Sequence, residues 1–155
     1  VKTMNDVCLE AEKSPTAKVS HHRLHENFEG IDETIALSSM YAANHLGARV
    51  VATLTQTGKT ALWMSRISSN IAIFAMSDNY KTLKKVTIYR GVYPCYIDKT
   101  SADDWNDVNS HVIENLEDRA EVTNGDIVIV TKGMHKDKSG GTNLMKILRV
   151  GDGNY

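Results

Sequence analysis

The stretch Thr53–Ala61 reads TLTQTGKTA and gathers three hydroxyls, a glycine and a lysine between Thr55 and Thr60. Thr55, Thr57 and Thr60 supply O–H donors, Gly58 lets backbone come close to a ligand, and Lys59 brings positive charge. Such a set suits a phosphate monoester held against backbone N–H groups at the start of a helix. Gly-Lys-Thr also closes the phosphate loop of many nucleotide hydrolases. That loop requires Gly-x-x-x-x-Gly-Lys-Ser/Thr, and position 53, where its first glycine would stand, is threonine. Nor does a strand end in an acidic residue placed for magnesium, because the run DIVIV carries its aspartate at the start. A nucleotide hydrolase is therefore the weaker reading. The plain alternative is a capped helix whose threonines only satisfy backbone groups.

The run KGMHKDKSGG, with Lys132, Gly133, Lys136, Lys138, Ser139, Gly140 and Gly141, is a basic, glycine-containing loop after an apolar run. A charge run is usually a solvated face, but this one could also close over a phosphorylated ligand. Trp105 falls on an apolar helical stripe and so reads first as core; its place in the first turn also permits it to cover a ligand. His21, His22 and His25 have spacings that could put two rings on one helical face for zinc, yet their segment lacks helix signals and partner ligands, so a solvated loop is the better reading. Cys8 and Cys95 lie far apart among apolar neighbours and read as reduced, packed thiols of a cytosolic protein. No Ser/His/Asp or Cys/His set is legible.

The elements that must position these groups alternate. VKTMNDVCLEAEK is in helical rhythm, with Val1, Met4, Cys8 and Ala11 on one stripe and no cap before it, which suggests a chain cut from a longer one. SPTAKVSHHRLHENFEG reads as a linker. Ile31–Gly47 reads as a helix with Asp32 and Glu33 in its first turn, an apolar stripe of Ile31, Ile35, Ala42 and Leu46, and Gly47 as its stop. ARVVATL is a buried strand, Thr57 the N-cap of the helix KTALWMSRIS, IAIFAMS a strand, NYKTLKKV a short helix, and VYPCYID a strand whose Pro94 favours an edge. SADDWNDVNSHVIENLEDR is a helix with a Ser101/Asp104 capping box and Trp105, Val108, Val112 and Leu116 on one face. GDIVIVTKG and TNLMKILRV are strands. Alternating strands and helices imply a mostly parallel sheet covered on both faces. The last two strands have only a roughly nine-residue loop between them and should pair antiparallel, which makes a five-stranded mixed sheet. In such sheets ligands sit at the carboxyl ends of strands, where both the threonine loop and the basic loop would lie.

The bulk properties agree with one soluble domain. The chain has 155 residues, 41% hydrophobic and 24% charged, with a net charge of −1 at pH 7. A nucleic-acid partner is disfavoured because no basic excess is present. No apolar run is long enough to span a bilayer, and no secretory signal is visible.

The ordered motifs MYAANHLGARVVATLTQTGKTALWMSRIS, YRGVYPCYID, GDIVIVTKG and SGGTNLMKILRV resemble the C-terminal domain of pyruvate kinase, over nearly the whole chain and in details nearest a bacterial enzyme. VKTMNDVCLEAEKS resembles the last helix of the preceding catalytic barrel. The resemblance implies residues 1–13 as that terminal helix, 14–29 as linker and 30–155 as the regulatory domain. It implies a three-layer α/β/α sandwich with strand order 3-2-1-4-5 and the fifth strand antiparallel. It implies a cytoplasmic phosphotransferase of glycolysis, passing phosphoryl from phosphoenolpyruvate to ADP with magnesium and potassium held by the barrel and lid domains. No catalytic residue or metal ligand carries over to this chain, which is expected to be inactive alone. The implied partners are those catalytic domains, further copies in a tetramer (or a dimer for this chain), and a phosphorylated allosteric effector.

Carried over by position, Thr55, Gln56, Thr57, Gly58, Lys59 and Thr60 form the effector phosphate cradle. Trp105 matches the effector-site tryptophan, and Lys132, Gly133, Lys136, Lys138, Ser139, Gly140 and Gly141 belong to the effector loop and its stem. Relatives activated by fructose 1,6-bisphosphate have lysine where Gln56 stands and arginine where Val112 stands. A monophosphate such as ribose 5-phosphate, glucose 6-phosphate or AMP therefore fits better than the bisphosphate. The alternative within the same family is a purely structural assembly domain with an unused site.

Overall fold

Runs of β-branched and apolar residues build the centre of the molecule. β1 (Val50–Leu54) is buried at all five positions, as a strand flanked on both sides and covered on both faces must be. β2 (Ala72–Ser77), β3 (Val92–Tyr96) and β4 (Ile127–Gly133) join it in parallel, and β5 (Thr142–Arg149) runs antiparallel to β4. The order across the sheet is β3-β2-β1-β4-β5, so the mixed five-stranded arrangement expected from the sequence is present. The computed structural model describes residues 1–14, 28–67, 69–98, 105–133 and 141–153. The three histidines, most of the expected linker, the Ser101/Asp104 capping box and loop residues 134–140 lie outside them.

The helices are α1 (Lys2–Glu12), α2 (Ile31–Leu46), α3 (Lys59–Ser65), α4 (Tyr80–Val86) and α5 (Trp105–Asp118). Alternation along each strand sends its side chains to opposite faces. Val50, Ala52, Leu54, Val128 and Val130 pack with Val108, Val112, Ile113 and Leu116 of α5. Val51, Ile73, Ala75 and Ile129 pack with Ala36, Met40 and Ala43 of α2, Ala61 and Met64 of α3, and Val86 of α4. The result is a helix–sheet–helix sandwich. Cys95 sits in the first of these cores, its Sγ donating to Asn115 Oδ1 at 2.9 Å. Burial pushes its thiol pKa up, against a smaller opposing pull from Arg119.

Three local expectations are corrected. The buried face of α2 is Asp32, Ala36, Leu37, Ser39, Met40 and Ala43. Ile31 is 68% exposed and Leu46 47% exposed, while Ile35 and Ala42 of the expected stripe are half-buried, Ala42 against the core. The helix stops at Gly47, left-handed with φ +63°, as expected. The N-cap of α3 is Gly58, not Thr57: Thr55 Oγ1 accepts from the Gly58 N–H and so turns the chain one residue later. Cys8 is exposed, not packed, and so are Val1, Met4 and Ala11 of the expected α1 stripe. No described helix is long and apolar enough to cross a membrane.

Candidate functional site

The site is built from the end of β1 upward. The Thr55 N–H extends the parallel ladder by donating to the Met76 carbonyl at 3.0 Å. The Thr55 hydroxyl then accepts from the Gly58 N–H at 2.9 Å, closing a tight turn. Gly58 adopts φ +76°, and a Cβ there would lie 2.8 Å from Val86 Cγ1 of α4. Backbone conformation and space both require glycine at this position. The first intrahelical bond of α3 follows, Leu62 N–H to Gly58 carbonyl at 3.0 Å. The amides of Lys59, Thr60 and Ala61 thus precede any acceptor within the helix.

Helix α4 fastens the loop from the side. The Thr82 hydroxyl donates to the Gln56 carbonyl, and Lys85 Nζ donates to the Thr57 carbonyl at 3.2 Å. Asn79 caps α4 by accepting from the Lys81 N–H at 3.0 Å, which orients the helix that carries both donors. Thr82 and Lys85 lie three residues apart and so share a helical face. Their spacing could have been noticed in NYKTLKKV, but nothing in the sequence near them says which loop they would meet.

Two of the loop's own side chains turn inward. Lys59 Nζ lies 2.8 Å from Asp32 Oδ2; the aspartate side chain is only 7% exposed and the lysine 48%. This pair ties the first turn of α3 to the first turn of α2. The hydroxyls of Thr60 and Thr142 are 2.7 Å apart in a buried contact, tying α3 to the start of β5. Gln56 is exposed and Thr57 half-buried.

The described ends of the other expected segments lie at the same edge of the sheet. β1, β2, β3 and β4 are parallel, so the threonine loop, the start of α5 at Trp105 and the end of β4 at Lys132 and Gly133 all lie at the carboxyl edge. The stem of the β4–β5 loop is pinched: a Cβ on Gly133 would be 2.6 Å from the Gly141 carbonyl oxygen. A register shift between Lys132 and Gly133 marks a bulge there. Lys136, Lys138, Ser139 and Gly140 lie outside the described residues, as does the side chain of Trp105. Val112 is fully buried among the core residues of α5. Among the described residues no group of three His, Cys, Asp or Glu could hold a metal ion. A cavity of about 260 Å³ lies elsewhere, lined in part by Ile73, Arg90, Gly91 and Tyr93 near the starts of β2 and β3. Its lining, which also includes Glu12, Ser69 and Asn70, lies away from where the expected site residues meet.

Residues 33–148 match the family model described as pyruvate kinase, alpha/beta domain. The chain belongs to the pyruvate kinase alpha/beta domain family. It is 46% identical over 151 residues to pyruvate kinase II of Salmonella typhimurium, covering 97% of this chain and 31% of that protein. It is 48% identical over 151 residues to the pyruvate kinase of Buchnera aphidicola subsp. Schizaphis graminum, with the same coverage. The pyruvate kinase of Staphylococcus haemolyticus is more distant, 27% identical over 153 residues and covered to 26% of its length. This alpha/beta domain with its leading helix thus spans about a third of the bacterial pyruvate kinases it matches.

Proposed function

We propose that this pyruvate kinase alpha/beta domain is the regulatory, effector-binding and subunit-contact part of a cytoplasmic pyruvate kinase, and that Thr55–Thr60 holds the phosphate of an allosteric activator. The reading assigns phosphoryl transfer from phosphoenolpyruvate to ADP, with its magnesium and potassium, to other domains of the enzyme. One observation carries the proposal. The loop after β1 is fixed by Thr82 and its own Thr55 turn, at the edge where α5 begins and β4 ends. A rigid set of N–H and O–H donors costs little to organise when a charged oxygen binds. Trp105 and the loop from Lys132 to Gly141, including Lys136, Lys138, Ser139 and Gly140, would close around the rest of the ligand. Gln56, whose carbonyl serves α4, and Val112, which is core, leave a second phosphate without an obvious partner. The ligand class is therefore a sugar monophosphate or AMP.

A purely structural assembly domain is the second reading, favoured by the inward contacts of Lys59 and Thr60. Thermal unfolding with ribose 5-phosphate, glucose 6-phosphate, AMP and fructose 1,6-bisphosphate separates the two. A ligand of the native state stabilises by about 2.7 kcal/mol at a hundred times its Kd. At least one monophosphate is expected to raise the midpoint no less than the bisphosphate does. Thr57→Ala is expected to weaken that ligand about tenfold or more, the loss of one hydrogen bond to a charged group. No shift with any of the four compounds would leave the structural reading standing.

A further inference from the structure

We infer that Lys85 of α4, rather than Lys59 of the loop itself, supplies the positive charge that Thr55–Thr60 presents to a phosphorylated ligand. The inference rests on the reading of that loop as a phosphate holder and concerns which side chain serves it. Lys59 is committed. Its Nζ is 2.8 Å from Asp32 Oδ2, and that carboxylate is 93% shielded within the first turn of α2, its side chain being only 7% exposed. A carboxylate so enclosed depends on its cation, and stripping the partner away leaves an uncompensated buried charge. Lys59 cannot turn to a ligand without incurring that cost.

Lys85 is placed differently. Its side chain is exposed, and its Nζ donates to the Thr57 carbonyl at 3.2 Å, so the ammonium already rests on the loop. It shares no ion pair with a described carboxylate; Lys59 is the lysine that Asp32 holds. Its one contact at the loop is with a neutral carbonyl, and a bond to an ionised oxygen is roughly twice as strong. An ammonium on a flexible four-carbon stem exchanges one for the other by rotating, without unpacking anything. Thr82, one turn earlier on the same face, keeps α4 fastened to the Gln56 carbonyl while Lys85 moves. The charge therefore comes from an element distant in sequence, and the lysine written into the loop acts as a positioning residue between α3 and α2.

The test is calorimetric titration of ribose 5-phosphate into this chain and into Lys85→Gln, Lys85→Arg, Lys84→Gln and Lys59→Gln, at low and moderate salt. Lys85→Gln keeps a donor for the Thr57 carbonyl while removing the charge. It is expected to weaken binding about tenfold and to flatten the salt dependence, with little change in the ligand-free thermal midpoint. Lys85→Arg restores most of the affinity, and Lys84→Gln binds as the unmodified chain does. Lys59→Gln lowers the ligand-free midpoint and loses less affinity than Lys85→Gln. Lys85→Gln titrating like the unmodified chain, or Lys59→Gln losing the greater share of affinity and salt dependence, would overturn the assignment while leaving the loop a phosphate site. If the unmodified chain binds neither ribose 5-phosphate nor any other compound of the thermal series, the reading of the loop fails, and the lysine assignment falls with it.

Discussion

At Gly58 two independent constraints meet in one missing side chain. The residue has φ +76°, and the space where a Cβ would stand is taken by Val86 Cγ1 at 2.8 Å. A left-handed conformation costs an L-residue about 1–2 kcal/mol, and overpacking against a buried neighbour adds about 1–3 kcal/mol. Gly58→Ala is therefore expected to destabilise the domain by about 2–5 kcal/mol, read as a lower urea midpoint with an unchanged slope. It should also pry α4 from the loop and weaken any ligand held there. A midpoint within error of the parent would show that the turn relaxes freely. Gly47, also left-handed, has nothing within 4 Å of its Cβ position, so alanine there would meet the conformational cost alone. The comparison between the two substitutions isolates the packing against Val86.

Among the described elements, β5 leaves one side unpartnered. It is an edge strand, paired on one side only, with β4. Leu148 is buried, Leu144 and Met145 are half-buried, and Ile147 is 46% exposed. Helix α2, which packs beside it, leaves Ile31, Tyr41 and Leu46 in solvent. An open strand edge is a template for another strand, and two identical antiparallel edges can satisfy one another across a two-fold axis. The chain is therefore expected to sediment as a dimer at micromolar concentration. Ile147→Lys places a charge on that edge and should shift the population to monomer with little loss of unfolding free energy, since the side chain is already half in water. A monomeric parent would reject pairing through β5 for this chain.

For the molecule as a whole, the carboxyl edge of the sheet carries the Thr55–Thr60 loop and the end of β4, where the proposed function places a charged oxygen. The chain corresponds to 31% of the length of the Salmonella and Buchnera pyruvate kinases, and the reaction is assigned to the remainder. This chain is accordingly expected to give no turnover of phosphoenolpyruvate with ADP in the presence of magnesium and potassium. Pyruvate formed above the buffer background by a pure sample would show that the division of labour is wrong.

The sequence by itself determined what short-range patterns control. The period of apolar residues marked the strands and helices, a loop too short for a crossover made β5 antiparallel, and the run TQTGKT after a buried strand marked the candidate phosphate loop. Boundaries were legible where a single residue sets them, as Gly47 does for α2. Tertiary structure alone decided the partners of individual side chains, because these come from chain-distant elements whose relative placement no local period encodes. Thr60 meets Thr142 across 82 positions, and Thr82 meets Gln56 across 26. The stripe misjudged on α2 has the same origin: Asp32 is buried because Lys59 arrives to neutralise it, and Ala36 and Ala43 are buried because the sheet lies against them. Hydropathy favours isoleucine and leucine for such places, whereas close packing of a helix on a sheet can favour the smaller side chain.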